Sequence, residues 1–254
     1  MSKDFYIYGK NVVVEALRTK PESLKRVYIK ESGKQSGYDE IRTLARRNNI
    51  PVIDTSEKQI KEWLRDDVSH QGVIALSKPF DYDNLTEFLA GIDEDTPLQT
   101  VLILDHITDV ANIGAIIRSA AGLNVDAIIV AELNQAPITS AVFKTSAGTV
   151  GRIPIIQVGN INQCIELLKE KRFWVVGLSS HDQGGQESDS LWSYKFDDAH
   201  SAVIIGSEAE GIRAKTLEHS DTILKIPMSR DVESLNASVT AGIVCYEILR
   251  QRSK

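Results

Sequence analysis

The sequence of 254 residues contains only two cysteines, Cys164 and Cys245. Both sit in apolar stretches of helical spacing, INQCIELL and AGIVCYEIL, with no histidine beside them. Such a pair forms neither a secreted disulfide framework nor a zinc site, and is expected as two small core residues of a cytoplasmic protein. No apolar run approaches the roughly 18 residues of a membrane span. The opening MSKDFYIYGK lacks the basic and apolar regions of a secretory leader. No GxGxxG follows a strand-like run and no GxxxxGK[ST] occurs, which argues against a Rossmann dehydrogenase and a P-loop NTPase. HExxH and close His/Cys groups are missing as well, so no catalytic metal is expected. The five histidines, His70, His106, His181, His200 and His219, are scattered and read as surface or hydrogen-bonded structural residues.

What remains is an ordinary globular balance, 42% hydrophobic and 25% charged, which excludes disorder and fibrous repeats. The net charge of −6 is unevenly spread. Residues 1–80 hold 15 Lys and Arg against 11 Asp and Glu, a net +4, and residues 81–254 hold 14 against 24, a net −10. A basic front on an acidic body assigns polyanion contacts to the front.

The chain reads as an α/β protein in two parts. Residues 1–80 alternate helix and strand. Helical spacing runs over 9–19, 38–49 and 56–64, the last with Ser56 as N-cap. Strand-like runs are LKRVYIK, PVIDT and GVIALSK. Residues 81–99, with the acidic IDED run and Pro97, read as a linker carrying a short amphipathic helix. From residue 100 to 254 the strands VLILD, AIIVAE, IPIIQV, FWVVGLSS and AVIIGS are almost wholly apolar, with helical segments between most of them. That pattern predicts a mostly parallel sheet covered by helices on both faces. The closing NASVTAGIVCYEILRQR is a long amphipathic helix, with Arg250 and Arg252 placed to suit its dipole.

Three segments of the second part concentrate polar residues at strand ends. In LDHITDVANIGAIIRSA, Asp105 and Asp109 flank a strand end, Asn112 and Gly114 open a helix, and Arg118 follows within it. In VIIGSEAEGIRAKTLEHSD, a buried strand runs into Gly206, then Glu208 and Gly211. A glycine there admits close approach of a ligand at the strand edge where open α/β sheets bind. In KIPMSRDVESLNASVTAGI, a strand ends at Pro227, and a polar loop delivers Ser234, Leu235 and Asn236 to the final helix. A fourth tract, Gly184-Gly185-Gln186 in HDQGGQESDS, spells a release-factor tripeptide but reads as a surface loop.

In order and spacing these three segments resemble the motifs of the SpoU family of RNA ribose 2′-O-methyltransferases, in the SPOUT superfamily. Asn112, Gly114 and Arg118 match the first motif. Gly206, Glu208 and Gly211 match the Gly-x-Glu-x-x-Gly of the second. Ile226-Pro227-Met228 and Ser234-Leu235-Asn236 match the third. YGKNVVVEAL and HQGVIAL are similar to the substrate-binding part of the bacterial 23S rRNA guanosine 2′-O-methyltransferase subgroup. Val110 stands where the first motif usually has proline, Ala209 where the second has glycine, and Asn11 where the N-terminal pattern has histidine.

The resemblance implies a small L30e-like α/β substrate-binding domain over 1–80 and a SPOUT α/β catalytic domain over 100–254, with a trefoil knot. It implies S-adenosylmethionine as cofactor, lying against Gly206, Ile226, Met228 and Leu235, and no metal. It implies methyl transfer to a ribose 2′-hydroxyl, with Arg118 stabilising the developing alkoxide and gripping a phosphate. Asn112, Glu208, Ser234 and Asn236 would orient ribose and arginine. The expected substrate is ribosomal RNA, a guanosine of 23S rRNA, with tRNA methylation and a catalytically silent RNA-binding role as alternatives. A cytoplasmic homodimer is expected, with Val239, Ile243, Tyr246 and Leu249 of the last helix as the candidate face.

Overall fold

The computed structural model describes residues 4–31, 37–64, 68–179, 188–229 and 231–253. His181 and the Gly184-Gly185-Gln186 tract lie outside them. By contacts the chain divides into two compact units, residues 1–81 with 137–152, and residues 82–136 with 153–254.

The first unit opens with a strand that the sequence reading did not identify, β1 (Phe5–Tyr8), followed by α1 (Lys10–Thr19), β2 (Leu24–Lys30) and α2 (Asp39–Arg47). Then come β3 (Val52–Thr55), α3 (Glu57–Leu64) and β4 (Val73–Ser77). The sheet order is β1-β4-β2-β3, with β2 and β3 parallel and the other neighbours antiparallel. Gly9 turns the chain from β1 into α1 at φ 96°, a left-handed conformation that favours glycine. Ser56 Oγ accepts the Gln59 amide at 3.2 Å, as a cap of α3 should. On one face Tyr6 stacks on Trp63 at 5.8 Å, and Trp63 meets Tyr28 at 4.6 Å, over buried Ile60 and Ile74.

The second unit begins with α4 (Leu85–Ala90), β5 (Thr100–Asp105), α5 (Val110–Gly122) and β6 (Ala127–Ala131). After α6 (Ser140–Thr145), which contacts place in the first unit, come β7 (Ile155–Val158), α7 (Ile161–Glu170), β8 (Phe173–Leu178) and β9 (Asp189–Ser190). The chain finishes with β10 (His200–Gly206), α8 (Ala214–Leu217), β11 (Thr222–Lys225) and α9 (Ala237–Arg252). The seven-stranded sheet has the order β7-β6-β5-β10-β8-β11-β9, and every neighbouring pair is parallel. All six residues of β5 and all five of β6 are buried, which is why these strands read as unbroken apolar runs. Cys164 and Cys245 are buried in α7 and α9, and burial pushes both thiols up to about 12. They are core residues, not nucleophiles.

Two stretches differ from the expected division. Residues 81–99, expected as a linker, carry α4, capped by Asn84 Oδ1 on the Thr86 and Glu87 amides. Leu89 and Ile92 join the sheet core, and Asp83 exchanges two hydrogen bonds with Ile155. The stretch thus shields the edge strand β7. Residues 137–152, inside the expected catalytic domain, belong to the first unit. Phe143 packs on Phe5 and Phe80, and Arg152 pairs with Glu15. Arg252 has a role beyond the one expected. Its guanidinium donates to the carbonyls of Phe196, Leu98 and Ala199 and to the hydroxyls of Thr100 and Ser201. It fastens the end of α9 to the starts of β5 and β10.

Close to Arg252, at the start of β10, buried His200 accepts the Gln99 amide on Nδ1 at 2.9 Å and packs on Phe173 at 4.9 Å. Burial, helped by the Arg252 charge, holds its pKa below the ordinary 6.5. A depressed histidine pKa costs nothing above 6.5. As pH falls below that value the unfolded chain binds the proton more readily, and the fold loses stability. Denaturant unfolding followed from about pH 7.5 to about pH 5.5 should therefore show a shallower loss of stability in His200→Asn than in the natural chain.

Candidate active site

The parallel strands β5 and β10 end side by side, with Asp105 in register with Gly206. Asp105 closes a wholly apolar strand and is fully buried, so its carboxylate must be partnered within the protein. It accepts the Arg213 backbone N–H at 3.0 Å, Arg213 Nε at 2.9 Å and Nη2 at 2.8 Å, and lies 2.8 Å from His106 Nδ1. The clamp fixes the far end of the loop that leaves β10. At its near end, Ser207 and Gly211 exchange backbone hydrogen bonds at 3.1 and 2.9 Å, with Gly211 at φ 69°. A Cβ at Gly206 would lie 2.1 Å from the Gly211 carbonyl carbon and 2.2 Å from the Ile212 nitrogen. Only glycine permits this closure.

The closed loop presents Glu208. Its Oε1 accepts Asn112 Nδ2 at 3.1 Å and also Asn236 Nδ2, which in turn donates to Asn112 Oδ1 at 2.8 Å. Asn112 is free for this because Asp109 caps α5, accepting the Ala111 amide at 2.7 Å. Asn112 therefore sits buried within the opening turn of the helix, and Asp109 takes the cap position. Asn236 does both jobs. Its Oδ1 caps α9 through the Ser238 and Val239 amides, while its Nδ2 serves the cluster. Glu208 Oε2 has no hydrogen-bond partner among the described residues.

Beside this cluster lies a cavity of about 300 Å³. Gly206, Glu208, Ile226, Met228, Ser234 and Leu235, all singled out by the sequence, line it together with Leu178, Ser179, Glu210, Ile212, Leu224 and Glu233. Apolar walls suit a flat heterocycle, backbone at the strand ends suits its polar edge, and three carboxylates suit a cation. Among the described residues no group of three or more His, Cys, Asp or Glu is placed to hold a metal. Nor, among the described residues, is any helix long and apolar enough to cross a membrane.

The structure thus joins Asn112, Glu208 and Asn236 directly, and places Gly206, Ile226, Met228, Ser234 and Leu235 around one cavity. Arg118 is not brought into the cluster. It is exposed on α5, six residues beyond Asn112, and makes no hydrogen bond or ion pair with a described residue. The Asp105–Arg213 clamp was not anticipated. Its signal was a carboxylate ending an unbroken apolar strand.

The SpoU rRNA Methylase family model matches residues 99–246, and the model described as RNA 2'-O ribose methyltransferase substrate binding matches residues 6–83. A Staphylococcus aureus protein assigned to the TrmH family of tRNA/rRNA methyltransferases is 34% identical over 250 residues, covering 98% of this chain and 97% of its own. The 23S rRNA (guanosine-2'-O-)-methyltransferase RlmB of Xanthomonas axonopodis pv. citri is 34% identical, covering 97% and 96%. Among solved structures, the AdoMet-bound rRNA methyltransferase of Sinorhizobium meliloti superposes with a TM-score of 0.79 at 21% identity, over 98% of this chain and 87% of that one. The A. aeolicus TrmH/SpoU tRNA modifying enzyme, at a TM-score of 0.54 and 25% identity, covers 66% of this chain and 81% of its own.

Removing the clamp tests its role in closing the loop. Asp105→Ala leaves the Arg213 amide without its acceptor and should cost about 1–3 kcal/mol in denaturant unfolding. Hydrogen exchange at the Ser207 and Gly211 amides should accelerate more than the global loss of stability accounts for.

Proposed function

The chain belongs to the SpoU rRNA methylase family, and from that premise we propose that it transfers a methyl group from S-adenosylmethionine to a ribose 2′-hydroxyl of 23S rRNA, at a guanosine. The observation that carries the proposal is the Asn112–Glu208–Asn236 cluster beside the cavity, since it gathers all three motif segments into one site. The preference for ribosomal RNA rests on the substrate-binding match over 6–83 and on the full-length likeness to a 23S rRNA enzyme. The likeness to the tRNA enzyme leaves a third of this chain uncovered.

S-adenosylmethionine supplies an electrophilic methyl group when bound. In this reading the backbone at Gly206 and the side chains of Ile226, Met228 and Leu235 hold it, and the carboxylates at the cavity favour its positive charge. Glu208 Oε2 accepts a hydrogen bond from a ribose hydroxyl, with Asn112 and Asn236 keeping the carboxylate in place and Ser234 beside it. Arg118, with no carboxylate to neutralise it among the described residues, offers its guanidinium to a phosphate and to the charge developing on the 2′-oxygen. An arginine is a poor proton acceptor at neutral pH, so its part is electrostatic. The reading includes the trefoil knot that the family resemblance implies, supported by the convergence of the segments after β8, β10 and β11 on one cavity.

We include a homodimer in this proposal. Of the face foreseen on α9, Val239 and Tyr246 are 48% and 58% exposed, and with Ile243 and the 79% exposed Trp192 they line an open apolar hollow. The opposite face, with Ala241, Val244, Cys245 and Ile248, is already spent on the core. A second copy covering the hollow would remove an apolar patch that a monomer leaves in water.

Incubation with labelled cofactor should place label in 23S rRNA as an alkali-resistant 2′-O-methylguanosine dinucleotide. Label in tRNA alone, or in no RNA, overturns the reading. Arg118→Ala should lower kcat at least about tenfold, roughly 1.4 kcal/mol of barrier, with cofactor affinity unchanged. Gly206→Ala should instead abolish cofactor binding in calorimetric titration, because the added methyl forces the 207–211 loop open. Light scattering at micromolar concentration should give twice the chain mass, and Trp192→Glu with Tyr246→Glu should give the single mass.

A further inference from the structure

Several cations of the first unit are already neutralised. Arg18 pairs with Glu40, Lys25 with Asp4, Lys30 with Glu57, Arg42 with Asp54 and Arg152 with Glu15. Neither the Lys10 nor the Lys144 ammonium pairs with a carboxylate among the described residues. Each is instead held over an aromatic ring, Lys10 Nζ 4.5 Å from the Tyr38 ring centre and Lys144 Nζ 5.6 Å from that of Tyr8. Both lie beside the turn at Gly9. Lys10 follows Gly9, its amide held at 2.9 Å by Gln71 Oε1, and the Lys144 ammonium lies 3.2 Å from where a Cβ of Gly9 would be. Gln71 also ties in Tyr38, whose hydroxyl donates to its carbonyl at 3.1 Å. A side chain at Gly9 would press against the Lys144 ammonium. Lys144 comes from a stretch 134 residues further along the chain, inside the methylase match, which folds back into this unit.

A tyrosine face holds an ammonium in place without neutralising it. Two positive charges held in this way beside one turn, on the unit that carries the positive balance, form a site for a polyanion. The geometry points to Lys10 and Lys144 as a composite phosphate clamp for the RNA substrate, built jointly by the N-terminal segment and the 137–152 stretch. This inference rests on RNA being the substrate. Lysine contacts of this type are point charges on phosphate oxygens, so the clamp supplies affinity and register, and leaves sequence choice to other groups. It also redraws the boundary of the substrate-binding unit. A chain lacking residues 1–80 would lose Lys10 and expose the apolar side of 137–152, where Val142 and Val150 are fully buried.

The test uses the full chain and 23S rRNA transcripts, with filter binding across a salt series and steady-state methyl transfer. Each phosphate contact on single-stranded RNA contributes about 0.7 to the slope of log K against log salt. Lys10→Gln with Lys144→Gln should therefore flatten the slope by about 1.4 and raise KM for RNA about tenfold. The melting temperature, cofactor affinity and kcat at saturating RNA should not change. Lys10→Arg with Lys144→Arg should restore the slope. The control pair Lys25→Gln with Lys30→Gln, whose charges are already neutralised, should change it by less than half as much. Where the double variant does not fold, each single variant should show about half the effect.

An unchanged slope in a glutamine variant that methylates normally overturns the clamp and leaves the enzyme reading standing. An equal effect from the control pair overturns it as well, because the contribution is then general charge. If the natural chain binds RNA with the expected lysine dependence but methylates none, the clamp stands and the catalytic reading fails.

Discussion

Asn236 is the residue on which the polar junction of the second unit depends. With one side chain it caps the last helix and reaches Asn112 and Glu208, which lie 124 and 28 residues earlier. Hydrogen bonds to a carboxylate are among the stronger ones, about 1.5–3 kcal/mol each, and they lose most when one partner is removed from a part-buried site. The start of α5, the loop after β10 and the start of α9 are therefore set relative to one another by one small polar junction, while the apolar packing of α5 on α9 holds the helices themselves. A substitution here costs helix capping and site geometry together.

The carboxylate clamp beneath that junction works on a different principle. Asp105 takes the full desolvation cost of a buried charge and recovers it through three hydrogen bonds from a single arginine. The gain is conformational. Arg213 is bound through its backbone as well as its side chain, so the loop between Gly206 and Arg213 has both ends tied and can hold Glu208 over a cavity instead of collapsing into it. Gly206 supplies the complementary constraint, since its missing side chain is occupied by the backbone of Gly211 and Ile212.

Charge is managed differently in the two units. In the first, several cations are matched by ion pairs, while Lys10 and Lys144 sit over tyrosine rings. In the second, carboxylates surround the cavity, Arg118 stays exposed, and Arg252 is spent entirely on neutral acceptors at the opposite end of the sheet. A polyanion approaching the chain thus meets free positive charge at a few chosen places on an acidic background, which suits steering better than indiscriminate attraction.

Much of this was legible along the chain. Unbroken apolar strands determined a parallel sheet buried on both faces, because a strand covered on both sides has no polar alternation to show. The spacing of Gly206, Glu208 and Gly211, and of Ser234, Leu235 and Asn236, determined where the site would lie, because a loop at a strand end must use particular residue types to turn and to present a carboxylate. Local pattern could not say that Asp109 would take the cap and release Asn112, that α4 would cover β7, or that residues 137–152 would leave the methylase sequence to pack on α1 and β1. Nor could it say that Lys10 would meet Lys144 or that Arg118 would stand apart from the asparagines. Periodicity and capping act over a few residues, so the sequence carries them directly. Which of several equally polar side chains becomes partnered, buried or free depends on neighbours brought from over a hundred residues away, and only tertiary packing decides that.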